Sequence, residues 1–264
     1  MKLSNIFLST LAVLLCCTAC SKDEESFKGK DADASLSIAV KAVGSAVTND
    51  ENELAGEAKV NNLSVLVFDE SGAQLIGYGW QATNSEGEAS ILNVPAMTMR
   101  AQIVIVSNTP ENSLAGVTSY SDFESKLAQL ADQSQSNLVM SSPVITTQAP
   151  LVKGDNYLGY ASMGSENING IAEPVEITRL AARLDLVNVK TDFTKTLLRN
   201  RTVRVEEVTI LNQSTASRFF SRDYWGVVMA TGHLGNSDAT ALNRDIANGS
   251  PINDTPYVHY VMEN

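Results

Sequence analysis

The sequence predicts a mainly β protein, and three observations predict it. Apolar and polar residues alternate at period two in short runs such as "SLSIAV" (35–40). Other runs, "SVLVF" and "QIVIV", are apolar throughout and end in turn-forming residues, as in strands covered on both faces. One stretch alone, around residues 121–130, stands out with apolar residues at helical spacing.

The chain opens with an export signal. Lys2 supplies a positive charge ahead of an apolar run at residues 6–15, which falls short of the roughly 18 residues of a spanning helix. Directly after it come Cys16, Cys17 and Cys20, all the cysteines of the chain. A closed zinc site needs four ligands, and His233 and His259 are the only histidines, so neither a metal nor another cofactor is expected. The remaining arrangement resembles a lipobox: Thr18 and Ala19 are the small residues before a lipidated Cys20, although Cys17 stands where leucine is usual. The alternative is a secreted chain with a stray thiol. Residues 1–19 are thus expected as signal peptide and 20–33 as a lipidated, flexible tether. Lys22, Asp23, Glu24 and Glu25 resemble the surface-export signal of Bacteroidota lipoproteins, the alternative being a solvated charge run. The protein is expected at the cell surface, attached to the outer membrane by its lipid.

Net charge is −11, and loss of the signal removes one basic side chain and no acid. A surface this acidic repels phosphate, so nucleic acid is not an expected partner. Apolar residues at 44% suffice for packed cores, and with Cys16 and Cys17 cleaved away no internal disulfide can form.

The elements follow in order. In residues 34–43, Leu36, Ile38 and Val40 alternate with Ser35, Ser37 and Ala39, a strand with one buried face. A polar interval, 44–59, leads to "VNNLSVLVF", where Leu63, Val65 and Val67 form one face while Leu66 and Phe68 make the other apolar too. "DESG" (69–72) is turn chemistry, and "AQLIGYGW" is the returning hairpin strand. Ile103 and Ile105 alternate with Val104 and Val106 in another buried strand. Ser121 and Glu124 have capping-box spacing and predict a helix, with Phe123, Leu127 and Leu130 on one face over the first core. Residues 137–174 read as short strands joined by long loops. In "VEITRLAARLDLVNV", Leu180, Ala182, Leu184 and Leu186 share a face. Arg179, Arg183 and Asp185 then lie on the other, expected to be exposed with mixed charge, the alternative for the arginines being a bound ligand. "TVRVEEVTILNQ" and "PYVHYVMEN" supply later strands.

The lipobox, "SLSIAV", "KVNNLSVLVFDESG", "QIVIVSNTP", "LVMSS" and "VEITRLAARLDL", in this order and spacing, make the chain similar to the fimbrillins of Bacteroidota, the major-fimbrial-subunit and Mfa-like lipoproteins of type V pili. The resemblance implies two transthyretin-like β-sandwich domains in tandem, here 34–174 and 175–264. It leaves open whether the second is complete. It also implies assembly by strand exchange. Proteolysis in the loop at 44–59 would release the strand at 34–43, and a segment of another subunit would fill the groove left by Leu36, Ile38 and Val40. That loop holds no arginine for a trypsin-like protease, only Lys41 before it and Lys59 at its end. Expected partners are other pilin subunits or accessory proteins, with a host protein or glycan receptor as a further candidate.

Two other classes weigh less. The chain contains none of the common hydrolase, metalloprotease or phosphate-loop motifs, and no catalytic residue is expected; Glu206 and Glu207, as neighbours in a strand, point apart. A glycan-binding surface lipoprotein, or a pilus anchor that does not polymerise, is the alternative. The glycan reading wants a platform of exposed aromatics, for which Tyr224 and Trp225, then Tyr257 and Tyr260, are the material.

Overall fold

The computed structural model describes residues 32–43, 54–219, 234–251 and 257–262. Cys20, the run Lys22, Asp23, Glu24 and Glu25, and the pair Tyr224 and Trp225 lie outside the described residues. The fold is mainly β, as the sequence predicts.

The first half begins with β1 (Ala34–Val43), β2 (Lys59–Asp69), β3 (Leu75–Glu86), β4 (Glu88–Ala96) and β5 (Ala101–Ser107). A short helix, α1 (Tyr120–Ser125), and β6 (Leu127–Gln129) follow. Then come β7 (Met140–Ser141), β8 (Ile145–Thr146), β9 (Gly154–Leu158) and β10 (Val175–Arg179). All but β6 join one nine-stranded sheet, in the order β3-β2-β5-β7-β10-β1-β4, with β8 on β5 and β9 on β1.

This sheet closes over an inner core. Leu36, Ile38 and Val40 of β1 and Ile91 and Val94 of β4 meet Leu63, Val65 and Val67 of β2 and Ile103 and Ile105 of β5 there. The alternate residues of the two central strands, Leu66 and Phe68, Val104 and Val106, enter a second cluster on the outer face. Their uninterrupted apolar runs are therefore used on both sides. Gly79 of β3 lets β3 and β4 approach across the inner core: a Cβ there would stand 2.8 Å from Cγ2 of Val94.

Tyr120 and Phe123 of α1 cover the outer cluster, with rings 5.6 and 6.3 Å from that of Phe68. The helix is capped two residues before the expected position. Ser119 is the N-cap, its Oγ accepting from the amide of Asp122 at 3.1 Å, and the Asp122 carboxylate accepts from the amide of Thr118 at 3.1 Å. It also ends early. Leu127 lies in β6, and Leu130 begins a 3-10 turn, because the backbone here pairs with a later strand instead of continuing the helix.

The second half holds β11 (Ala181–Leu186), β12 (Thr202–Val208), β13 (Gln213–Ser214) and β14 (Ala216–Arg218). It continues with β15 (Leu234–Gly235), β16 (Thr240–Ala247) and β17 (Tyr257–Met262). Among the described residues these form two-stranded ladders, β11–β17, β12–β16 and β13–β15, while β14 pairs with β6. Leu180, Ala181, Phe219 and Met262 pack into the outer cluster of the first half. The strand expected to open the second half, β10, belongs by its hydrogen bonds to the first sheet.

Candidate functional site

Leu36, Ile38 and Val40, expected from their spacing to share one buried face, converge in the inner core, each with no exposed surface. Full burial of such side chains stabilises by about 1.5–3 kcal/mol each. Together they amount to roughly 5–9 kcal/mol, comparable to the whole net stability of an ordinary domain.

Both edges of β1 are paired. Along one edge it runs antiparallel to β4, from Ala34 opposite Ala96 to Lys41 opposite Glu88, with a register shift between Leu36 and Ile38. The other edge is divided. Ala34 to Ile38 run parallel to β9, and Val40 to Val43 run parallel to β10. Among the described strands, β4 and β9 pair with β1 and with no other. Taking β1 away would leave both without a ladder.

The outward face of β1 is small and polar. The Ser37 hydroxyl accepts from the amide of Asn93 at 3.3 Å, the Ser35 hydroxyl donates to the Asp155 carboxylate at 2.6 Å, and the Asn156 amide donates to the Ser35 carbonyl at 3.1 Å. Just past β9, Gly159 adopts φ +86°, where a Cβ would stand 2.7 Å from the carbonyl oxygen of Ala39. Only glycine lets the chain pass so close to β1.

β1 ends with Val43 opposite Thr178, and Leu54 lies beside a buried charge cluster. Glu57 is 1% exposed. One oxygen of its carboxylate, Oε1, accepts from the Tyr260 hydroxyl at 2.7 Å. The other, Oε2, accepts from Arg183 at 2.6 Å and from the amide of Leu54 at 3.0 Å, with Arg179 at 3.7 Å. Arg183 also donates to Asp185 at 2.9 Å. Burial, and then the hydrogen bond to the Glu57 carboxylate, raise the pKa of Tyr260 above its ordinary value and keep its proton in place.

The two arginines therefore do not lie on an exposed face. Their side chains are 12% and 13% exposed, whereas Leu184, on the face expected to hold the apolar residues, is 46% exposed. The chain bends at Leu180, so Leu180 and Ala181 are both buried and the alternation changes phase. The sequence signal was there in part, as two arginines four apart within an apolar run. Nothing nearby in the sequence pairs them with Glu57, which is more than a hundred residues away. Among the described residues no group of three metal-ligating side chains occurs, and no helix is long and apolar enough to cross a membrane.

Comparison with known proteins matches both halves. A family described as the major fimbrial subunit protein FimA covers residues 34–179, and one described as the C-terminal domain of fimbrium tip subunit Fim1C-like proteins covers 180–264. The two meet at the bend after Arg179. A Parabacteroides distasonis protein named as fimbrium tip subunit Fim1C is 46% identical, over 99% of this chain and 71% of its own length. Major fimbrium subunit FimA type-2 of Porphyromonas gingivalis is 27% identical, over 100% of this chain and 68% of its own. Among solved structures, a Parabacteroides distasonis cell adhesion protein superposes with a TM-score of 0.83 at 45% identity, over 88% of this chain and 71% of that one. The fimbrilin FimA of Porphyromonas gingivalis, at 18% identity and a TM-score of 0.59 over 88% of this chain and 66% of that one, shares the fold. With one fimbrial family matched over more than half of its length and a relative 46% identical over nearly all of it, the chain belongs to the FimA and Fim1C-like family of fimbrial subunits.

Proposed function

We propose that this chain is a tip-type subunit of a surface fimbria, exported as a lipoprotein through Cys20 and joined to its neighbour by strand exchange at the seat of β1. The observation that carries the exchange is the pairing of β1: its removal strips β4 and β9 of their ladder and opens an apolar groove that another strand must fill. The tip position is favoured by the Fim1C-like match over residues 180–264 and by the higher identity to the tip protein than to the FimA subunit. Adhesion is the use in keeping with the name of the structural relative. The partners are other pilus components, and the location is the cell-surface fimbrium.

The decisive experiment places a specific protease site near Asn49, cuts the purified full-length chain, and adds a labelled peptide of residues 33–43. The cut chain is expected to take up the peptide, and its mass by light scattering to rise when a donor-bearing subunit is present. A cut chain that keeps its own strand, binds no peptide and stays monomeric with that donor overturns strand exchange. Export is tested separately. Cys20→Ser should abolish labelling by a fatty-acid analogue, and alanines at Lys22, Asp23, Glu24 and Glu25 should keep the lipid but lose digestion by protease added to intact cells. Full labelling of the first variant, or undiminished digestion of the second, sinks the corresponding step.

A further inference from the structure

Strand exchange at β1 makes no use of the buried charges gathered on Glu57. Glu57 lies downstream of residues 44–53, so a cut there leaves it with β2 and not with β1. Its carboxylate holds three separate segments at once: the turn at Leu54, the β10–β11 junction through Arg183 and Arg179, and β17 through Tyr260. A carboxylate this buried is costly unless its oxygens are filled, and both oxygens are filled here.

One of those segments is a wall of the β1 seat. β10 is held on one side by four register positions with β1, Val40 to Val43, and on the other by two with β7, Thr178 opposite Ser141 and Arg179 opposite Met140. Once β1 leaves, the larger ladder is gone. Among the contacts that remain are the core packing of Val175 and Ile177 and, at the end of β10, the β7 pairing, the amide of Leu180 on the Val139 carbonyl at 2.9 Å, and the two guanidiniums on Glu57.

We infer that Glu57 is a positioning residue for assembly: it anchors β10 and β17 to the start of β2, so that the wall of the seat and the second half keep their places while the seat is open. The use in assembly rests on the strand-exchange reading; the anchoring does not.

Amide hydrogen exchange on the intact chain tests the anchoring. In Glu57→Gln, exchange over residues 175–186 and 257–262 should quicken about tenfold or more, while residues 63–68 in the centre of β2 stay unchanged. In Tyr260→Phe, which removes one hydroxyl and keeps the ring, the gain should be confined to 257–262. If Glu57→Gln changes only residues 54–60, Glu57 is merely a cap for its own turn and the inference falls. Should that variant fail to fold, an unchanged 257–262 in Tyr260→Phe overturns the link to β17 alone. The assembly use is then read from the cut chain: uptake of the 33–43 peptide should be about tenfold slower in Glu57→Gln than in the parent, and equal uptake overturns it. A cut parent that takes up no peptide overturns strand exchange and that use together, and leaves the anchoring to the exchange comparison.

Discussion

At the scale of single residues, the sequence named the inner-core side chains and missed the buried charges, for a physical reason. Alternation is local, so Leu36, Ile38 and Val40 announce their face within six residues; an ion pair is not, and Glu57 meets Arg183 only through tertiary packing. Ile38→Ala should cost about 2–5 kcal/mol by urea unfolding, and Ile38→Asp more, because it sets an unpaired carboxylate in the core. Lys41→Ala, at an exposed position of the same strand, should change the midpoint little. At Gly79, a substitution to Ala puts a methyl group on Val94 and should cost about 1–3 kcal/mol, with no cost if β3 can draw away. His259 gives a pH test. Its ring nitrogen Nε2 sits 2.9 Å from the Gln213 side-chain oxygen, its ring is stacked on Tyr257, and burial lowers its pKa below the ordinary value of about 6.5. The unfolded chain therefore takes up this proton first as pH falls. The contribution of neutral His259 is complete above about pH 6.5 and is lost from there down to the lowered value. Thermal melts of the parent should accordingly lose ground against His259→Gln below that pH, and a difference independent of pH would refute the assignment.

At the scale of elements, β1, β2 and β5 were legible because their periodicity and their burial agree. The bounds of the helix were not. Ser121 and Glu124 satisfy the capping pattern in sequence, but Ser119 and Asp122 occupy the cap, and β6 draws Leu127 into a strand because β14 offers a ladder from the far half of the chain. The bend at Leu180 is the other limit, since an alternating pattern carried across it puts every later side chain on the wrong face. An element-scale prediction follows for β6. Ala128→Pro removes an amide from the β6–β14 strip, and its Cα sits opposite Ser217. Amide exchange at residues 214–218 should quicken while β2 and β5 keep their protection; protection unchanged at both would mean that the strip contributes nothing to holding the halves together.

At the scale of the whole molecule, two halves share one outer cluster, and β1 belongs to a sheet whose other members are spread over most of the first half. That arrangement has a consequence for the order of events. The first described strand has its partners at residues 88–96, 154–158 and 175–178, so β1 is made before the places beside it exist. Contacts this distant along the chain form slowly, and apolar segments wait exposed meanwhile. β1 is thus made early and seated late: its place in the sheet is complete only once residues up to 178 have been made, so the strand that carries Leu36, Ile38 and Val40 waits for its last partner longer than either strand of the β2–β3 hairpin waits for the other.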